Sequence, residues 1–169
     1  MALIFDSKKL FERCLNPKGV SDEQIALGLC FKEEISHCKR PACFQEFVSD
    51  EVGHGLFADA DFEEGTFVGE YVGLVREQSV LNRVSDYAFR YPILDELGRF
   101  LEVDAEYHGN HTRLINHSSR PNLNVKTAFV DGLFHVILIT NRPIGRGEQF
   151  AYDYGKNYWL VRGAAQELL

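Results

Sequence analysis

The sequence predicts an α+β domain, mostly β, with helices at its two ends. Three observations lead there. From Phe44 onward, short runs of aromatic and β-branched residues are cut by Gly, Asp and Pro, the punctuation of strands and turns. Thirteen Phe and seven Tyr stand against one Trp and one Met, which suits an aromatic, strand-rich core. The first forty residues and the last dozen instead carry helical spacing and composition. A chain of 169 residues is one domain by the usual length rule and is long enough to bury a core without staples.

The elements follow in order. "DSKKLFERCLN" places Leu10, Phe11, Cys14 and Leu15 on one stripe and stops at Asn16-Pro17. Ser21 followed by Gln24 has the spacing of a capping box, opening a second helix from Ser21 to His37. Strand candidates are "FQEFV", "GLFA", "TFVGEYVGLV", "YAFRYPIL", "RFLEVD", "NLNVKTAFV" and "LFHVILIT". The last two flank Asp131-Gly132, a hairpin turn in which both positions favour positive φ. "GEQFAYDYG" adds a short strand, and "NYWLVRGAAQELL" returns to helical composition. The chain divides into a helical extension over 1–43, a β-rich domain over 44–155 and a short C-terminal segment over 156–169.

Charge and composition narrow the function. A net charge of -7 argues against direct nucleic-acid binding, because phosphate contacts need clustered Lys and Arg. It favours a basic partner, or simply aids solubility. No apolar run reaches membrane-spanning length, so no membrane association is expected. "MALIFDSKKLFERCLN" lacks the apolar stretch and cleavage site of a secretory signal peptide, although another kind of secretion signal would not show in this test. The expected state is soluble, with Cys14, Cys30, Cys38 and Cys43 as reduced, buried thiols. His37, Cys38 and Cys43 lie close together, but a lone Cys-x4-Cys is a weak zinc pattern. His108 and His111 lack a completing carboxylate motif, so no metal is predicted.

Several motifs carry sharper chemistry. Gly53-x-Gly55-x-x-Ala58 matches a dinucleotide fingerprint, but "DADFEEG" follows it. Asp59, Asp61, Glu63 and Glu64 would repel phosphate, and no amphipathic helix follows. The two glycines still permit close approach by another group, or mark a bulge or bend. His117 and Ser118 suggest hydrolase chemistry, yet neighbours in an extended chain point to opposite sides. Tyr152 and Tyr154 share one face if "FAYDYG" is a strand. Such a pair can line an aromatic channel or sit at a core edge.

Taken together, the motifs resemble the SET-domain protein lysine methyltransferases over about Glu51 to Gly155. "GHGLFA" with "EEGTFVGEYVG" resembles the family's opening Gly-x-Gly and Glu-Tyr-x-Gly elements, and "DYAFRY" its central tyrosine strand. "LEVDAEYHGNHTRLINHSSRPN" is similar to its Asp-Ala, Gly-Asn, Arg-x-x-Asn-His-Ser and Pro-Asn elements, and "RPIGRGEQFAYDYG" to its closing element. Each motif alone is weak; their order together is specific. "DYAFRYP", "GLFHVILI" and "YGKNYWLVR" further resemble compact chlamydial-type bacterial members. The implied fold is a β-clip of several small sheets with knot-like C-terminal threading.

The resemblance implies methyl transfer from S-adenosylmethionine to a lysine ε-amine of a basic, histone or histone-like protein. Tyr154 matches the catalytic tyrosine and Tyr87 the channel tyrosine. Tyr152 stands where the family tunes product degree, which favours mono-methylation. Arg113, Asn116 and His117 match the cofactor-pocket motif, and Tyr107 a further pocket position. The backbone at His54 and Gly55 would cradle the cofactor's amino-acid part. From aromatic chemistry alone, Trp159 or Tyr158 of the C-terminal segment is expected to stack on its adenine.

Two departures matter. His54 stands where the family often has Trp. Ser119 stands where it often has a zinc-binding Cys, and no cysteine follows Cys43, so "NYWLVRG" is the candidate to close the site without metal. Other readings stay open at this point: a non-catalytic module for a lysine-rich partner, a non-histone substrate, and a site completed in a homodimer. The implied compartment is the bacterial cytoplasm, or a host nucleus after secretion.

Overall fold

The computed structural model describes residues 2–78 and 85–160. The chain does not begin as a helix: Ile4–Phe5 form a short strand, β1, ahead of the first cap. Ser7 then accepts a hydrogen bond from the Leu10 amide and opens α1, Lys8–Cys14. Leu10 and Cys14 are buried, but Leu15 has already turned extended at the C-cap and is 38% exposed. Burial pushes the Cys14 thiol up to about 11. The helix α2, Asp22–Ser36, starts with both capping-box hydrogen bonds between Ser21 and Gln24 in place and ends at His37. It buries Gly28, Phe31 and Ile35. Cys30 falls off that stripe and is exposed, as is Cys38 beyond the helix, so only Cys14 of the expected buried thiols is fully buried.

The β-rich part divides into short strands. β2, Cys43–Ser49, pairs antiparallel with β3, Gly53–Ala58. The run "TFVGEYVGLV" is not one strand but two, β4 (Phe67–Glu70) and β5 (Leu74–Arg76). They are separated at Gly73, whose backbone lies so close to Asp104 that a Cβ would overlap the Asp104 carbonyl. β6 (Ala88–Leu94) and β7 (Phe100–Asp104) are antiparallel, and the four-stranded sheet has the order β1-β5-β7-β6. Ile4 and Phe5 pair in parallel with Leu74 and Val75, a long-range partner that local periodicity does not reveal. A 3₁₀ turn at His111–Leu114 precedes β8, Asn116–His117. β9 (Leu123–Val130) and β10 (Leu133–Thr140) are joined by Asp131 and Gly132 at φ 48° and 88°, as the turn chemistry requires. They form a three-stranded sheet in the order β4-β10-β9. β11 is only Ala151–Tyr152, and α3 spans Lys156–Leu160. Residues 161–169 of the predicted C-terminal helix lie outside the described residues. No described helix is long and apolar enough to cross a membrane.

The elements group into two compact units. The first is Met1–Lys39, Gly69–Arg113 and Lys126–Ile137, so the N-terminal helices fall with the β5-β7-β6 strands. Tyr91 is fully buried in its core, and its hydroxyl donates to the Phe134 carbonyl at 3.0 Å. Within the same unit α2 meets β9 at Gly28, where a Cβ would overlap the Phe129 carbonyl oxygen.

The second unit is Arg40–Val68, Leu114–Val125 and Leu138–Leu169. Leu56, Ile115, Leu123, Leu138, Ile144 and Phe150 fill its core. Here β8 and β11 run parallel, pairing Asn116 with Ala151 and His117 with Tyr152. A ladder this short cannot hold itself. Asn122 reinforces it. Its backbone N–H donates to the Ala151 carbonyl, and its Oδ1 accepts from the Ala151 amide at 2.8 Å. Its Nδ2 donates to the Gln149 carbonyl and to Glu148 Oε1. Asn122 is 3% exposed, so these bonds replace water almost completely. Arg142, hydrogen-bonded to Glu148, holds that carboxyl below its ordinary range, with the Asn122 amide assisting.

Two outcomes follow for stability. Gly28→Ala should cost about 1–3 kcal/mol, because backbone must move to admit the methyl group; an unchanged urea midpoint would show that α2 can slide. Asn122→Ala should cost about 2–4 kcal/mol, since buried partners at Ala151 and Gln149 lose their bonds. That loss is read in the same urea titration, where a change under about 0.5 kcal/mol would remove the clamp from the account.

Candidate active site

The interlock of β8 with β11 places a set of aromatic side chains together in the second unit. His117 is 7% exposed. Its Nδ1 accepts from the Tyr154 backbone N–H at 3.2 Å. Because that N–H can only donate, the neutral imidazole carries its proton on Nε2. The Asp153 carboxylate lies 3.6 Å from the same nitrogen. The His117 ring packs on Tyr154 and Trp159, with centroids 5.5 and 5.0 Å away.

Tyr152 and Tyr154 do not share a strand, because β11 ends at Tyr152. Their rings still meet, 4.8 Å apart. What brings them together is the turn after β11, held by the His117 acceptor and by the Tyr154 hydroxyl, which donates to the Ile115 carbonyl at 2.9 Å. Both anchors belong to the segment around β8. Helix α3 adds the remaining walls. The Tyr158 ring stands edge-on to Tyr154 at 4.6 Å, and Trp159 stacks nearly parallel to it at 6.1 Å.

A polar edge adjoins β3. Asn116 Nδ2 donates to the His54 carbonyl at 3.2 Å, so these two predicted pocket residues are neighbours. The exposed His54 ring stands edge-on to Phe47. At Gly55 the Gln149 amide lies where a Cβ would sit, so any side chain there would have to displace Gln149. Gln149 escaped the sequence reading; its proximity to Gly55 comes from pairing across the fold.

The other predicted residues lie in the first unit. Tyr87 is partly buried, and the Arg113 guanidinium lies over its ring, 4.1 Å from the centroid. Tyr107 is 83% exposed. Among the described residues there is no group of three or more His, Cys, Asp or Glu that could hold a metal ion.

The second unit fits a flat, polar, cationic cofactor. Trp159 Nε1 and Gln149 Nε2 are buried donors without a hydrogen-bond acceptor among the described residues. Each is a donor for which an adenosine or amino-acid group could supply the missing acceptor. The aromatic faces suit a heterocycle and a sulfonium.

Comparison with known proteins agrees. The SET domain matches residues 53–155. The histone-lysine N-methyltransferase set-1 of Caenorhabditis elegans is 36% identical over 129 residues, covering 64% of this chain and 52% of that protein. Human histone-lysine N-methyltransferase EHMT1 is 32% identical over 126 residues, 72% of this chain and 10% of its own length. The chain thus spans about half of the first relative and a tenth of the second. A solved polycomb repressive complex 2 in an autoinhibited conformation bound to S-adenosylmethionine superposes with a TM-score of 0.58 at 30% identity, covering 70% of this chain and 16% of that one. With the family match running across β3, the Asn116-His117 segment and the tyrosines of the closing element, the chain belongs to the SET-domain family.

Proposed function

We propose that this chain is an S-adenosylmethionine-dependent protein lysine N-methyltransferase acting on a lysine-rich, histone or histone-like segment. The observation that carries the reading is the Tyr154 hydroxyl, fixed by donation to the Ile115 carbonyl inside a cluster of His117, Tyr152, Tyr158 and Trp159. A phenol that donates its proton to a carbonyl can act toward an amine N–H only as an acceptor.

The cofactor, when bound, supplies a sulfonium methyl whose C–S bond breaks as the lysine N–C bond forms. The residues of this chain do the rest. Asn116, the backbone at His54 and Gly55, and the Trp159 indole N–H would hold the cofactor. Tyr154 would orient the amine, and Tyr87 stands where the motif order puts the family's channel wall. Free lysine has a pKa of about 10.4, so its proton must leave to water before attack. The like charge of a sulfonium and the loss of water from the site would together disfavour the ammonium form of the nucleophile. The net charge of -7 favours a basic substrate segment. Tyr152, buried against Tyr154, narrows the space for added methyl groups and favours mono-methylation.

Tyr154→Phe should lower kcat by about 10²-fold or more while the cofactor Kd, read by calorimetry, stays within about twofold. Full turnover in that variant would remove Tyr154 from its role. Asn116→Ala should raise the cofactor Kd by about tenfold, the worth of a charge-assisted hydrogen bond; unchanged affinity would contradict its assignment. Mass spectrometry of the methylated substrate should show mostly monomethyl-lysine, and a dominant trimethyl product would refute the role given to Tyr152.

A further inference from the structure

Arg113 lies in the polar motif, but its side chain is committed within the first unit. Its guanidinium carbon is 4.1 Å from the centre of the Tyr87 ring, within cation–π range. Its Nη1 donates to the Glu106 carbonyl at 2.8 Å. Its Nε is buried and has no acceptor among the described residues. A partly buried cation needs compensation, and here one carbonyl and one aromatic face contribute it. Gly109 makes room: a Cβ there would meet Arg113 Cδ at 3.0 Å and Ala105 Cβ at 2.8 Å.

The rest of Tyr87 is held just as firmly. Its N–H donates to Ser85 Oγ, and Ser85 donates in turn to Asp104 Oδ1. The same Asp104 oxygen accepts from the Glu106 amide, the residue whose carbonyl Arg113 holds. Asp104 Oδ2 pairs with Arg76 at 2.8 Å. The Tyr87 carbonyl accepts from the Ala105 amide and from the Tyr71 hydroxyl at 2.7 Å. The backbone on both sides of Tyr87 is therefore fixed, and the ring orientation is what Arg113 adds.

We propose that Arg113 is the positioning residue of Tyr87, setting the angle of that ring through its stacked guanidinium, rather than a direct cofactor ligand. The inference rests on the reading of Tyr87 as the channel wall. A lysine keeps the charge but lacks the planar guanidinium that stacks on a ring face, so Arg113→Lys is the informative change.

The experiment compares wild type, Arg113→Lys, Tyr87→Leu and the double variant, each with full steady-state kinetics and calorimetric titration by S-adenosylmethionine. The expected result is a kcat lowered about tenfold to hundredfold in Arg113→Lys, the scale of a misplaced positioning group, with cofactor Kd within about twofold. In the Tyr87→Leu background the same change should cost little more, because its target is gone. A raised Kd with saturated kcat intact would instead make Arg113 a cofactor ligand and overturn the proposal, as would losses that multiply independently. NMR supplies a readout that does not need turnover. The Arg113 δ-methylene protons should be shifted upfield by the Tyr87 ring current and return to ordinary positions in Tyr87→Leu. An unshifted signal in wild type overturns the stacking itself. Absent methyl transfer by wild type with the ring-current shift intact would count against the proposed function and leave the stacking standing.

Discussion

The site depends on one short parallel ladder. Asn116 and His117 pair with Ala151 and Tyr152, and Asn122 locks them by spending its amide and backbone on Ala151, Gln149 and Glu148. Two residues per strand are far too few to pair unaided. A buried amide that satisfies backbone groups on the opposite segment makes the pairing cooperative, because breaking it leaves several polar groups dry and unpaired.

What the ladder achieves is local registry. With His117 fixed opposite Tyr152, its Nδ1 meets the Tyr154 amide, and the Ile115 carbonyl meets the Tyr154 hydroxyl. Both ends of that tyrosine are thus tied to one neighbouring segment. Helix α3 then stacks Tyr158 and Trp159 on a surface that already exists. Preorganisation of this kind is what a displacement reaction requires, since the gain comes from alignment more than from proton chemistry.

The legible features of the sequence are those set by local rules. The Ser21–Gln24 capping box and the Asp131-Gly132 turn form as their residue types demand. The order of glycine, tyrosine and Asn-His-Ser elements pointed to the family through their joint spacing. Features set by distant partners were hidden. Ile4–Phe5 become a strand because β5 offers an edge, and "TFVGEYVGLV" breaks because Gly73 meets Asp104. Tyr152 and Tyr154 meet without the alternation that was expected to align them. Cys30 is exposed because the buried stripe of α2 runs through Gly28, Phe31 and Ile35 instead. Asn122 and Gln149 gave no local sign of their roles, since an amide reveals its use only through the backbone it meets.

If this arrangement of residues aligns a lysine amine, methyl transfer to lysine must follow. The most direct measurement incubates the chain with methyl-labelled S-adenosylmethionine and a histone mixture, then hydrolyses the protein and separates the amino acids. The expected result is label in N-methyl-lysine. Calorimetric binding of the cofactor with no label in lysine of any basic protein would contradict it.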